Sequence, residues 1–131
     1  MITRQPNVLI VDDERETLKL MKMALERSGY SVLAAANWEE ITDLVELTYR
    51  NKRPVDIMIL DLMMPEQSGF DVLRSLQTVF SPMPPVIMLS AVTSIEQQIK
   101  ARDMGIAKYM TKPTTPTKLI AAIKELLSKP R

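Results

Sequence analysis

An alternation of two periodicities is the feature that most limits how this chain can fold. Short apolar runs, VLIV (8–11), VLAA (32–35), VDIMIL (55–60), VIML (86–89) and AKYM (107–110), are separated by segments with helical spacing. The first such segment sets Leu18, Met21, Ala24 and Leu25 on one face and stops at Gly29, a natural residue just past a helix end. The second opens at Asn37 as N-cap, with Glu40 three residues on, and buries Ile41, Leu44 and Val45. The third follows Ser68 and aligns Phe70, Leu73, Leu76 and Phe80. The fourth begins at Ser94, with Gln97 completing a capping box, and ends before Gly105. The fifth opens at Thr115 with Pro116 in the first helical position, where a missing N–H costs nothing, and turns Leu119, Ile123 and Leu126 inward.

Strands alternating with helices predict βαβ units and a parallel sheet. The runs are apolar almost throughout, so helices should cover both faces of that sheet. With 131 residues the chain is long enough for one core and too short for two. A single domain over residues 1–131 is expected, its core spanning about 7–128, with no room for an output module after Ser128.

Composition removes several functions. The net charge of +1 gives no footprint for nucleic acid or an anionic membrane. Arg50, Lys52 and Arg53 read as a solvated loop. Without cysteine there is no disulfide, thiolate metal site or thiol nucleophile. Without histidine the commonest neutral-pH acid–base group is missing, so a metal here should be a hard cation held by oxygen. MITRQPN lacks an apolar signal core and no run reaches membrane-spanning length, which places the expected setting in the cytoplasm. The methionines read as core filler, and Trp38 as a half-buried residue without a function.

In an open parallel sheet, ligands sit beyond the carboxyl ends of the strands, where strand order reverses. The first strand is followed by Asp12 and Asp13, the third by Asp61, the fourth by Ser90, and the fifth by Thr111, Lys112 and Pro113. The second ends in alanines, so it belongs at an edge away from the site. The strand order 2-1-3-4-5 follows, bringing Asp12, Asp13 and Asp61 together at the switch point. Lys112 would reach them from the far edge, past Ser90. Three converging carboxylates repel unless a cation stands among them, and Mg²⁺ suits an all-oxygen site. A metal flanked by a lysine and a hydroxyl suits a phosphoryl group, and one carboxylate can serve as the nucleophile, forming an aspartyl phosphate. Either Asp12 or Asp13 alone would be read as a helix N-cap.

The stretches LIVDDE (9–14), ILDLMMPEQSGFDVL (59–73), PVIMLSA (85–91) and GIAKYMTKP (105–113) resemble the receiver domain of two-component response regulators, in that family's order. The resemblance implies the flavodoxin-like receiver fold, with Asp61 as phosphoacceptor. It implies Mg²⁺ held by Asp13 directly, by Asp12 through water, by Asp61 and by the backbone carbonyl of Met63. Ser90 would hydrogen-bond a phosphoryl oxygen and Lys112 would pair with the phosphoryl group. Tyr109 would swing inward with Ser90, coupling phosphorylation to the surface of helix 4, strand 5 and helix 5. A cis Lys112–Pro113 peptide is also implied. Gln67 and Ile106 depart from the family pattern without touching this chemistry.

The implied donor is a phosphohistidine on a sensor histidine kinase or a histidine phosphotransfer protein. The output would be contact with a downstream protein, as a monomer or a phosphorylation-linked dimer, with catalysis confined to the domain's own phosphorylation and dephosphorylation. Three competitors remain at this point: a phosphatase-type hydrolase with an aspartyl nucleophile, a degenerate receiver that binds without phosphorylation, and a flavodoxin-like cofactor carrier. Glu14 stands where the hydrolase would need a second aspartate after Asp12, and the strand-end loops are acidic where a carrier would need Gly, Ser or Thr.

Overall fold

The computed structural model describes residues 5–61, 69–80, 82–91 and 94–129. Within them five strands alternate with five helices: β1 (Asn7–Val11), α1 (Arg15–Arg27), β2 (Ser31–Ala35), α2 (Trp38–Asn51), β3 (Ile57–Asp61), α3 (Gly69–Val79), β4 (Val86–Ser90), α4 (Ile95–Asp103), β5 (Lys108–Thr111) and α5 (Pro116–Leu127). All strand pairs are parallel, in the order β2-β1-β3-β4-β5. The predicted fold class and strand order are therefore the observed ones.

Each central strand feeds two cores because its side chains alternate between faces. From β1, Leu9 and Val11 join Ile41 and Val45 of α2 and Phe70, Leu73 and Leu76 of α3. Val8 and Ile10 point the other way, to Leu18 and Leu25 of α1 and Leu119, Ile123 and Leu126 of α5. The unbroken apolarity of the runs follows from this double coverage. Trp38 is half-buried against the first core, as its place in the opening turn of α2 predicts.

The strand ends differ from the apolar runs by one or two residues. Val55 is buried but precedes β3, because its run begins after Pro54 and pairing begins only at Ile57. Asp56 is bound instead at the foot of β1, where its amide donates to Asn7 O (2.8 Å) and its Oδ2 accepts from Asn7 N (2.7 Å). At the other rim Asp61 and Ser90 lie inside their strands rather than beyond them.

Capping follows the sequence with two exceptions. Gln97 N donates to Ser94 Oγ at 3.3 Å, but Gln97 Oε1 is buried with no hydrogen-bond partner among the described residues, so the box predicted at α4 is only half formed. Glu40 N donates to Asn37 Oδ1 as expected (2.9 Å), while the Glu40 carboxylate reaches one residue further back, to Ala36 N (2.8 Å). Gly29 and Gly105, past the ends of α1 and α4, take φ of 96° and 89°, the left-handed region glycine enters at least cost. Lys52 does the same at the end of α2 with φ 52° and no glycine to announce it.

α4 buries only Ala101. Its hold on α3 includes the Lys100 ammonium 4.4 Å from the centre of the buried Phe70 ring and a Gln77 Nε2 bond to Met104 O (3.1 Å). No described helix is long and apolar enough to cross a membrane.

Candidate functional site

Parallel register brings the polar strand ends to one rim. Val11 pairs with Leu60, Asp61 with Leu89, and Ser90 with Thr111, so Asp12, Asp61, Ser90 and Lys112 stand at adjoining positions across four strands. Carboxylate oxygens of Asp12, Asp13 and Asp61 all lie within 4.8 Å of one another. Asp12 and Asp61 are buried and Asp13 half-buried. Hard oxygen donors at this spacing fit a small divalent cation.

Lys112 reaches them from the edge strand. Its ammonium donates to Asp61 Oδ2 at 2.8 Å and lies 4.0 Å from Asp12 Oδ2. Its backbone is tied to the neighbouring strand through Lys112 N to Ser90 O (2.7 Å), and the Lys112–Pro113 peptide is cis. Ser90 is fully buried at the end of β4. Tyr109, the middle of β5, is half-buried against the α3 and α4 core. Met63 and Gln67 lie outside the described residues, as does Ser68.

Electrostatics reflects this crowding. Burial raises the Asp12 carboxyl to about 6 from its ordinary 3.8; the Glu14 amide counteracts this, the Asp61 charge and hydrogen bond add to it, and Lys112 opposes. Burial tends to lower the Lys112 ammonium, but the Asp61 hydrogen bond and the charges of Asp61, Asp12 and Asp13 prevail, and it rises. The lysine thus stays charged where it is most needed.

Neither aspartate caps α1. Glu14 holds the N-cap position with no side-chain bond, and Asp12 Oδ1 accepts instead from Glu14 N at 3.0 Å. That bond fixes one oxygen of Asp12 inward at the turn, leaving Oδ2 toward Lys112.

Sequence reasoning missed two neighbours of the rim. Arg15 and Glu40 form a two-point pair (2.8 and 3.4 Å) that ties α1 to the start of α2. The pair raises the Arg15 guanidinium and lowers the Glu40 carboxyl, first through its hydrogen bond. Beside Asp12 and Lys112, a cleft of about 180 Å³ is lined by Thr17, Met21, Leu89 and Thr114. Thr114 Oγ1 is buried there without a hydrogen-bond partner among the described residues. Nothing local in the sequence marks either feature, since each joins segments far apart in the chain.

The sequence matches the family described as the response regulator receiver domain over residues 8–124. The transcriptional regulatory protein CpxR of Escherichia coli is 34% identical over 120 residues, covering 92% of this chain and 48% of that protein. The alkaline phosphatase synthesis transcriptional regulatory protein PhoP of Bacillus subtilis gives the same identity and coverage, 34%, 92% and 48%. The chain therefore spans about half the length of these curated relatives. Among solved structures, a CheY-like receiver domain protein of Methanospirillum hungatei has a TM-score of 0.80 at 28% identity over 94% of each chain. A receiver domain protein of Clostridium thermocellum has a TM-score of 0.77 at 31% identity, over 93% of this chain and 94% of that one.

Proposed function

The chain belongs to the response regulator receiver domain family of two-component systems, and from that premise we propose that it is a phosphorylation switch with Asp61 as the acceptor. The observation that carries the proposal is the grouping of Asp61 with Asp12, Asp13 and Lys112: three carboxylates within 4.8 Å and an ammonium 2.8 Å from one of them.

Mg²⁺ is the proposed cofactor: Asp12, Asp13 and Asp61 would hold it, with the Met63 carbonyl as a further ligand implied by the family, and it would supply positive charge to offset the acids and the transferring group. An Asp61 carboxylate oxygen forms the new bond to phosphorus as the phosphorus–nitrogen bond of a donor phosphohistidine breaks. The bonding pair leaves with the donor imidazole, which takes up a proton. Lys112 transfers its hydrogen bond from Asp61 to the phosphoryl group, and the buried Ser90 hydroxyl donates to another of its oxygens. The same site returns phosphate to water, so its chemistry is directed only at itself.

The proposed donor is a phosphohistidine on a sensor histidine kinase or a histidine phosphotransfer protein, as the family implies; these 131 residues contain no histidine to serve as one. The domain works in the cytoplasm and signals by contact with a downstream protein, without touching nucleic acid itself. Movement of Ser90 and Tyr109 would alter the surface of α4, β5 and α5. That surface already exposes Ile95 (74%) and Ile99 (43%) on α4, apolar side chains suited to a protein contact. A phosphorylation-linked dimer would use the same face.

The test is incubation with acetyl phosphate, with and without Mg²⁺, followed by intact mass. One labile phosphoryl adduct that requires the metal supports the proposal. Multiple turnover of a small phosphoester would point to a hydrolase, and absence of any adduct to a degenerate receiver.

A further inference from the structure

At the opposite rim of the sheet, a cleft of about 410 Å³ opens between the end of α2 and the connection from α3 to β4. Tyr49, Val55, Phe80 and Pro82 supply its apolar lining, and Lys52 and Arg53 its charge. Among the described residues no acid lines it. Its size is that of a small-molecule site rather than of a protein groove.

Three local features build this cleft. Tyr49 closes one side: its hydroxyl donates to Val79 O (2.7 Å), bridging α2 to α3, while the side chain stays 65% exposed. Lys52 sits in the left-handed cap of α2, which turns the chain back along the helix end. Arg53 is steadied by its guanidinium bond to Gln5 O (3.5 Å). The nearest acid in sequence, Asp56, is engaged by the Asn7 amide. Lys52 has no ion-pair partner among the described residues.

An uncompensated ammonium beside an apolar floor, with a tyrosine and a phenylalanine in the wall, selects for an aromatic body with an anionic head. We propose that this cleft binds a small aromatic carboxylate, its ring between Tyr49 and Phe80 and its carboxylate on Lys52 and Arg53. Val55 precedes β3 and Asp61 is its last residue, so the two lie roughly 20 Å apart along the strand direction. The cleft is therefore separate from the phosphorylation site, and its occupancy is testable independently of it.

The experiment follows backbone amide shifts of the full chain during titration with naphthoate, with naphthylmethylammonium as the cationic control. Expected are saturable shifts confined to the amides of residues 48–53, 55, 79, 80 and 83, with a dissociation constant roughly millimolar or tighter, and none with the cation. Lys52→Asn combined with Arg53→Gln keeps a residue tolerant of the left-handed conformation and should weaken naphthoate binding roughly tenfold. Tyr49→Ala, which removes an exposed ring, should weaken it as well. Naphthoate shifts that do not saturate, that scatter over the surface, or that persist unchanged in both variants would overturn the assignment. So would much tighter binding of an acidic aromatic peptide at the same amides, which would make the cleft a protein-docking site.

Discussion

The Lys112 ammonium and the Asp61 carboxylate meet at 2.8 Å although β4 lies between β3, which ends in Asp61, and β5, which Lys112 directly follows. Asp12 Oδ2 lies 4.0 Å from the same ammonium. Lys112 is the only cation that the described residues place among the three acids.

Removing that cation should be felt in stability and in signalling separately. Lys112→Ala is expected to lower the unfolding free energy of the metal-free protein at pH 7.5 by about 1–3 kcal/mol, less than a fully buried pair because the lysine is one-third exposed. Magnesium binding should survive, while the spectral change on phosphorylation should be lost. Urea denaturation and phosphodonor-induced fluorescence of Trp38 measure the two effects; an intact phosphorylation response would contradict the role given to Lys112.

Asp12 gives a pH signature with a definite sign. Its folded value is raised by burial to about 6 from 3.8, so between those limits the folded state keeps a proton that the unfolded chain has released. Stability of the metal-free protein should fall as pH rises through that window, and the full penalty above pH 6 is roughly 3 kcal/mol. Asp12→Asn retains the Oδ1 acceptor used by Glu14 N and should flatten this dependence, making the variant more stable than wild type at pH 7.5 without metal. Saturating Mg²⁺ should stabilise wild type more than the variant. Parallel pH profiles of urea midpoints for the two proteins would contradict this.

Arg15 and Glu40 separate the worth of an exposed pair from that of a satisfied backbone amide. Arg15→Ala removes only the pair and should leave stability almost unchanged, as expected for a solvent-exposed ion pair. Glu40→Ala also strips the Ala36 amide of its acceptor and should cost about 1 kcal/mol more. Thermal or chemical denaturation of both variants checks the ordering.

The core offers a calibration. Ile59 is fully buried in the central strand between both helical layers, and Ile59→Ala should cost about 2–5 kcal/mol. Calorimetry would show this as a loss of stability with the phosphorylation chemistry retained in the folded fraction.

The fold was legible because βα alternation and unbroken apolar runs have few solutions, and because β2 ends in alanines while the other strands end in polar groups. Its details were less so. Apolarity reports burial rather than pairing, which is why Val55 looked like part of a strand and Asp61 and Ser90 looked like residues beyond one. Gln97 matched a capping box whose return bond does not form. Asp12, which local rules would read as a cap, uses its side chain to hold the turn before α1 instead. The convergence of the acids and Lys112 could be anticipated from strand order. The Arg15–Glu40 pair, the cleft at Thr114 and the cleft at Tyr49 depend on side chains from separate segments, and no spacing announces them.

Borohydride trapping is the measurement closest to the central claim. After treatment with acetyl phosphate and Mg²⁺, reduction converts a phosphorylated aspartate to homoserine, and peptide mass spectrometry locates it. Homoserine at position 61 alone, and none in Asp61→Asn, is the predicted result. Homoserine at Asp12 or Asp13, or no conversion in the wild-type protein, would contradict the account.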